Sequence, residues 1–226
     1  MPALGNFSSR GLGQAILKYR LQLGTKAPTL GANGATWTPS GWTSLQNASV
    51  DDSFVSATIP SFVINSTTYT TAYIGSNTYI TFGSGSTVYS GLSASNPALN
   101  KIHLGSADNS YQRVAYRNSP STGAYTRIRY EGNASTSGTP GSPGIVYEAT
   151  FFNMADTGGI PVVEVLFGVH GRTAGVSGIA NTSAFYATPS PAGFYSANQS
   201  YVFMANNTSG TAWTIYTGYY LAGTDY

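Results

Sequence analysis

Residues 145–152 read IVYEATFF, residues 162–169 read VVEVLFGV, and NMADTGGIP (153–161) lies between them. Both runs are rich in β-branched and aromatic residues, and both are too short for the average helix. The connection carries Asp, Gly-Gly and Pro, the residues of turns. Together they predict a β-hairpin. A hairpin centred near Asp156 would set Glu148 opposite Glu164 across the ladder.

The same texture extends outward from the hairpin. Short runs recur between turn residues at Ser53–Ile59, Phe62–Ile64, Thr68–Ile74, Tyr79–Phe82, Thr87–Tyr89 and Lys101–Leu104. They continue at Gln112–Tyr116, Thr126–Tyr130, Ala184–Ala187, Tyr201–Met204 and Ala212–Tyr219. Many short strands at this spacing predict an all-β fold, a β-sandwich or jelly-roll-like domain over residues 27–226. In Thr126–Glu131, Ile128 and Tyr130 share one face and point to the core. Arg127, Arg129 and Glu131 share the other, expected to meet solvent or a neighbouring subunit. Residues 133–144 (NASTSGTPGSPG) read as a long loop.

Composition sets the partners. Only 8% of residues are charged, against roughly 25% in an average soluble domain. Seventeen Tyr and abundant Ser, Thr and Asn carry the polar load instead. A surface built this way suits lasting contact with proteins or sugars, and it supports a free monomer poorly. An oligomer of three or more chains is expected, with a homotrimer as the leading form. Neither a nucleic-acid nor a membrane partner is expected. No run approaches the length of an apolar span, and the opening MPALGNFSSRGLGQ lacks the apolar core of a secretory signal.

Charge is unevenly spread. Residues 1–26 hold Arg10, Lys18, Arg20 and Lys26 with no acid, a net of +4, and the remainder holds six basic and eight acidic residues, −2. In this opening segment Ala15, Leu17, Tyr19, Leu21 and Leu23 alternate with Lys18, Arg20 and Gln22, as in a strand. A helical stripe of Leu12, Ile16, Tyr19 and Leu23 is also possible; the Gly-rich lead favours the strand. Residues 1–26 are expected to be an N-terminal attachment arm, with Arg10, Lys18, Tyr19 and Arg20 as contact residues. Trp37 and Trp42 follow in a loop-like stretch, where they either plug a core edge or form a stacking surface. With Tyr219 and Tyr220 they are the candidates for surface recognition.

Chemistry is sparse. There is no Cys, so thiol nucleophiles, disulfides and Cys-ligated zinc are excluded. His103 and His170 are the only histidines and are far apart in the chain. No nucleophile elbow, phosphate loop or zincin motif occurs. Glu148 and Glu164 are the one carboxylate pair that could be argued into glycosidic acid–base geometry; pairing with Arg127 and Arg129 is the plainer expectation. Asp51-Asp52 and Asp108-Asn109-Ser110 could give oxygen ligands to calcium, with turn capping as the plainer role. No catalytic, cofactor or metal residue is assigned.

Two stretches resemble a known module. Tyr73–Gly83 (YIGSNTYITFG), with Tyr69 just upstream, is similar to the nidogen-like pattern of a strand, a turn and an aromatic–Ile–x–Phe-Gly strand. Thr78 stands where that turn often has Gly. Val146–Val169 resembles the pattern's later hairpin. Similar β-sandwich modules occur in tail-fibre and structural proteins of bacteriophages, and GNFSSRGLG looks like short N-terminal signatures of phage structural proteins. The resemblance implies a virion protein that is not an enzyme. It would be a short tail-fibre or receptor-binding component, held by its arm to other virion proteins and presented to a host surface glycan. A capsid decoration or other head or tail structural role is the alternative, and a carbohydrate-active enzyme a distant one.

Overall fold

The computed structural model describes residues 19–22, 41–119, 123–133, 144–170, 175–189 and 198–222, with the backbone alone at 19–22, 169–170 and 220–222. Its strands, in chain order, are β1 (Tyr19–Gln22), β2 (Thr43–Gln46), β3 (Val50–Asp51), β4 (Phe54–Ile64), β5 (Thr67–Gly75), β6 (Tyr79–Phe82), β7 (Asn100–Ser106) and β8 (Ser110–Asn118). They continue as β9 (Tyr125–Asn133), β10 (Ile145–Phe152), β11 (Val162–His170), β12 (Val176–Ala180), β13 (Phe185–Ala187), β14 (Ser200–Ala205), β15 (Trp213–Thr217) and β16 (Tyr219–Ala222). No helix occurs among the described residues.

Two antiparallel sheets pack as a β-sandwich. The smaller has six strands in the order β13-β12-β7-β6-β5-β4. The larger has eight, in the order β15-β14-β11-β10-β9-β8-β2, with β3 also on β8. β1 and β16 form a separate two-stranded ribbon. One core fills the space between the sheets, joining Phe62, Ile80, Phe82 and Ile102 of the smaller sheet to Ile128, Tyr147, Phe151 and Phe203 of the larger. Phe62 lies at the junction, stacked on Phe82 and edge-on to Phe151 at 5.1 and 5.3 Å between centroids.

The predicted hairpin is present as β10–β11, but its centre is moved by one residue. Glu148 pairs with Leu166, and Glu164 with Thr150. The turn causes the shift. Asn153 caps a tight bend by accepting from the Ala155 amide, and the Gly159 amide reaches back to the Met154 carbonyl. Gly158 and Gly159 close the bend at φ of 72° and 83°, a region open to Gly without strain.

Two predicted runs merge, since Ser53–Ile59 and Phe62–Ile64 belong to one strand, β4, whose register shifts between Thr58 and Phe62. Pro60 lies in that interval and lacks a ladder donor. Thr87–Tyr89 is not a strand. The Val88 carbonyl is taken by side chains, the Tyr79 hydroxyl at 2.9 Å and the Asn77 amide at 3.2 Å. Thr78 adopts φ 58°. Its Oγ1 donates within reach of the Asn77 and Gly105 carbonyls at 2.8 and 3.1 Å and accepts from Asn109 Nδ2 at 3.0 Å, which holds a non-Gly residue in this region.

An aromatic ladder crosses the inner face of the larger sheet, one ring per strand from Tyr111 through Tyr130, Tyr147 and Phe167 to Tyr201. Tyr130 and Tyr147 stack at 4.8 Å and 7°. Their hydroxyls differ. That of Tyr130 donates to the Ser76 carbonyl across the sandwich, whereas that of Tyr147 is buried with no hydrogen-bond partner. Burial pushes the ionisation of Tyr147 up. Removing a bonded buried hydroxyl costs about 1–3 kcal/mol, while removing an unbonded one recovers desolvation. Tyr130→Phe is therefore expected to lower stability in urea denaturation, and Tyr147→Phe to leave it unchanged or raise it.

Candidate functional site

Two regions concentrate polar side chains. The first is the outer face of the larger sheet. Arg127 and Arg129 are each 1% exposed, Glu131 2%, and Glu148 and Glu164 0%. The sequence expectation that this face meets solvent or a subunit is therefore corrected: it is buried within the chain. Pairing makes that possible. Arg129 donates to Glu131 at 2.7 Å and to Glu148 at 3.2 Å, Arg113 reaches Glu131 at 3.4 Å, and Arg127 approaches Glu148 at 4.0 Å. The register provides the alignment, with Glu148 opposite Arg129 and Arg113 opposite Glu131. Glu148 and Glu164 share this face diagonally, so the proposed facing carboxylate pair does not form.

The second region is the outer face of the smaller sheet, covered by the loop of residues 83–99. Outward side chains of β6 and β7 hold it. Lys101 Nζ lies among four backbone carbonyls: those of Ala94 and Pro97, Leu99 at 3.0 Å and Asn181 at 3.1 Å. Desolvation pushes Lys101 down to about 8. His103 Nε2 lies 3.0 Å from the Ser93 carbonyl, and Nδ1 lies 2.9 Å from Ser106 Oγ. A carbonyl only accepts, so Nε2 carries the proton, while Nδ1 faces a Ser106 hydroxyl that also lies 2.8 Å from the Thr78 carbonyl. The Tyr79 hydroxyl holds Ser86 and Val88, and Thr81 Oγ1 donates to Ser84 O at 2.7 Å. At one end Asn77 Nδ2 joins Val88 O to Asp52 Oδ1, both at 3.2 Å.

Asp52 belongs to an acidic corner. Asp51, Asp52 and Asp108 bring carboxylate oxygens within 4.8 Å of one another, uniting the two stretches singled out for calcium. Burial, then the charges of Asp52 and Asp108, push Asp51 up; the Asp52 amide opposes this, donating to Asp51 Oδ1 at 3.0 Å. Calcium takes about six to eight oxygens, so three carboxylates would be a partial set.

The sequence candidates fall unevenly. Arg10, Lys18 and Trp37 lie outside the described residues. Tyr19 and Arg20 lie in β1, paired with Ala222 and Leu221 of the chain's own last strand. Trp42 is buried at 9% exposure beside Ala115, with the Arg117 guanidinium 5.7 Å from its ring centroid. It is the plug of the two expected alternatives and offers little ring to a ligand. Tyr219 is half-buried, and Tyr220 pairs with Leu21. Among the described residues the exposed large rings are others, Phe54 at 41% and Tyr89 at 49%. Sequence reasoning assigned Tyr89 to a strand and passed over the alternation Lys101–Ile102–His103–Leu104, whose polar half supports the loop.

No family model, curated protein or solved structure matches the chain.

Two predictions follow from these clusters. Glu148→Leu leaves two arginines buried without a shared carboxylate and should cost about 3–5 kcal/mol in urea unfolding, with Glu148→Gln costing less. His103 is pushed down to about 3, by desolvation first and by the Lys101 charge after it. Its folded value lies below the unfolded one, so the unfolded chain binds the proton first as pH falls. Thermal stability should drop between about pH 6.5 and 3, and His103→Gln should flatten that slope.

Proposed function

We propose that the chain is a bacteriophage virion structural protein, a short tail-fibre or receptor-binding component that is held by its N-terminal segment and works as an oligomer. It recognises rather than transforms its target. The observation that supports this most is the placement of charge. Every Lys and Arg whose side chain is described is buried or half-buried: Lys101, Arg113, Arg117, Arg127 and Arg129. All three Glu are buried, and only Asp51 and Asp52 are exposed among the described acids. The exterior of the described residues is thus mainly hydroxyl, amide and aromatic. Such a surface adheres to uncharged protein and sugar surfaces and gives little repulsion between copies.

Attachment is assigned to residues before Tyr19, because Tyr19–Gln22 is engaged with Tyr219–Ala222. The test is incorporation. In the phage that encodes the chain, removal of residues 1–17 should leave a folded domain that is missing from purified particles by mass spectrometry. Full-length protein should adsorb to host cells and sediment as three or more copies at micromolar concentration. Normal incorporation of the truncated chain, or a protein absent from wild-type particles, would overturn the proposal.

A further inference from the structure

We propose that the loop of residues 83–99, with Phe54 beside it, is a binding surface for an uncharged oligosaccharide, on which Tyr89 and Phe54 are the stacking rings. This rests on the receptor-binding reading and names the part of the molecule that would carry it.

Rigidity is the first ground. A long irregular loop in a compact domain is commonly functional or disordered. This one is fixed from beneath. Lys101, His103 and Tyr79 are each 0% exposed, and all three direct their polar atoms to its backbone. Asn96 adds bonds within the loop, to Ser90 O at 3.0 Å and Gly91 O at 3.2 Å. Carbonyls held from below leave the outward side chains free to meet a ligand with little further ordering, which limits the entropic cost of binding.

Surface chemistry is the second. The stretch GSGSTVYSGLSASNPAL contains no ionisable group except the Tyr89 phenol. Ser84, Thr87, Ser90 and Ser95 are exposed on it, as is Tyr89. Phe54 lies directly over Gly85, where a Cβ would collide with its ring, and meets Tyr73 edge-on at 5.9 Å. The two exposed large rings of the described residues thus belong to one charge-free, hydroxyl-bearing surface. Sugar rings offer the matching pair of features, an apolar C–H face for the aromatics and hydroxyls for Ser and Thr.

Electrostatics selects among sugars. Asn77 ties the Tyr89 end of the loop to Asp52, whose carboxylate and that of Asp51 are exposed at the flank. No described Lys or Arg is exposed to offset them. An anionic glycan would be repelled, and an uncharged one would not.

The test uses the full-length chain with tetrasaccharides of glucose (α- and β-linked), mannose and N-acetylglucosamine as uncharged probes, and tetragalacturonate as the anionic one. Saturation-transfer NMR and calorimetry should show at least one uncharged probe binding, with tetragalacturonate silent. Tyr89→Ala and Phe54→Ala, both at exposed positions, should keep the thermal melt and each weaken binding about tenfold or more. Lys101→Met should weaken it with both rings intact, by loosening the loop. The assignment is overturned if no uncharged probe binds, if the anionic probe alone binds, if affinity survives both ring substitutions, or if those substitutions change the oligomer's mass. Host adsorption separates this from the parent reading: adsorption that persists in the ring variants rejects the site and leaves the receptor-binding role standing. A wild-type chain that binds sugar yet is absent from particles does the opposite.

Discussion

The buried Arg–Glu lattice on the outer face of the larger sheet is the constraint around which the rest is arranged. Isolated charges cannot be withdrawn from water without large cost, so each must find its partner on a neighbouring strand. Arg129 does so toward Glu148 of β10 and also bonds Glu131 of its own strand, which Arg113 of β8 reaches in turn. Those pairings demand one register of β8, β9 and β10. A slip by one residue would turn the arginines into the aromatic ladder and send Tyr130 and Tyr147 outward. The irregularity between Tyr111 and Arg113 serves the same alignment, bringing Arg113 opposite Glu131 while Tyr111 stays in the core. The lattice thus specifies strand order and face at once.

Much of this was legible in the sequence, since β6 and β10 coincide with runs read as strands from β-branched and aromatic content. The core face of β9 also followed from alternation. The charged face did not, because alternation separates two faces without saying which is wet. Polarity suggested water; partners on adjacent strands override it. The hairpin register escaped for a local reason, the Asn153-capped bend with two left-handed glycines. β12 (Val176–Ala180) was passed over because its Gly178, at φ 134°, and its small residues give no strand texture.

The smaller sheet handles its outer face differently. There Lys101 and His103 find backbone carbonyls of a covering loop in place of carboxylates. Sequence alone shows a Gly/Ser-rich stretch in which Thr87–Tyr89 reads as a short strand. Its order comes from side chains of the two strands that flank it, Tyr79 on β6 and Lys101 and His103 on β7, which the loop's own composition does not report. The same posts that satisfy the strand's polar atoms display Tyr89.

A described surface on which every lysine and arginine is buried or half-buried gives up action at a distance. Electrostatic steering raises encounter rates by extending attraction beyond contact. With little exposed charge on the described surface, encounters fall to the unassisted range, on the order of 10⁵–10⁶ M⁻¹s⁻¹. Discrimination then resides in how slowly a matched contact separates. Because few counterions are displaced from this surface, that residence time should be nearly independent of ionic strength, so a partner bound on it would be held equally well in dilute and in concentrated salt.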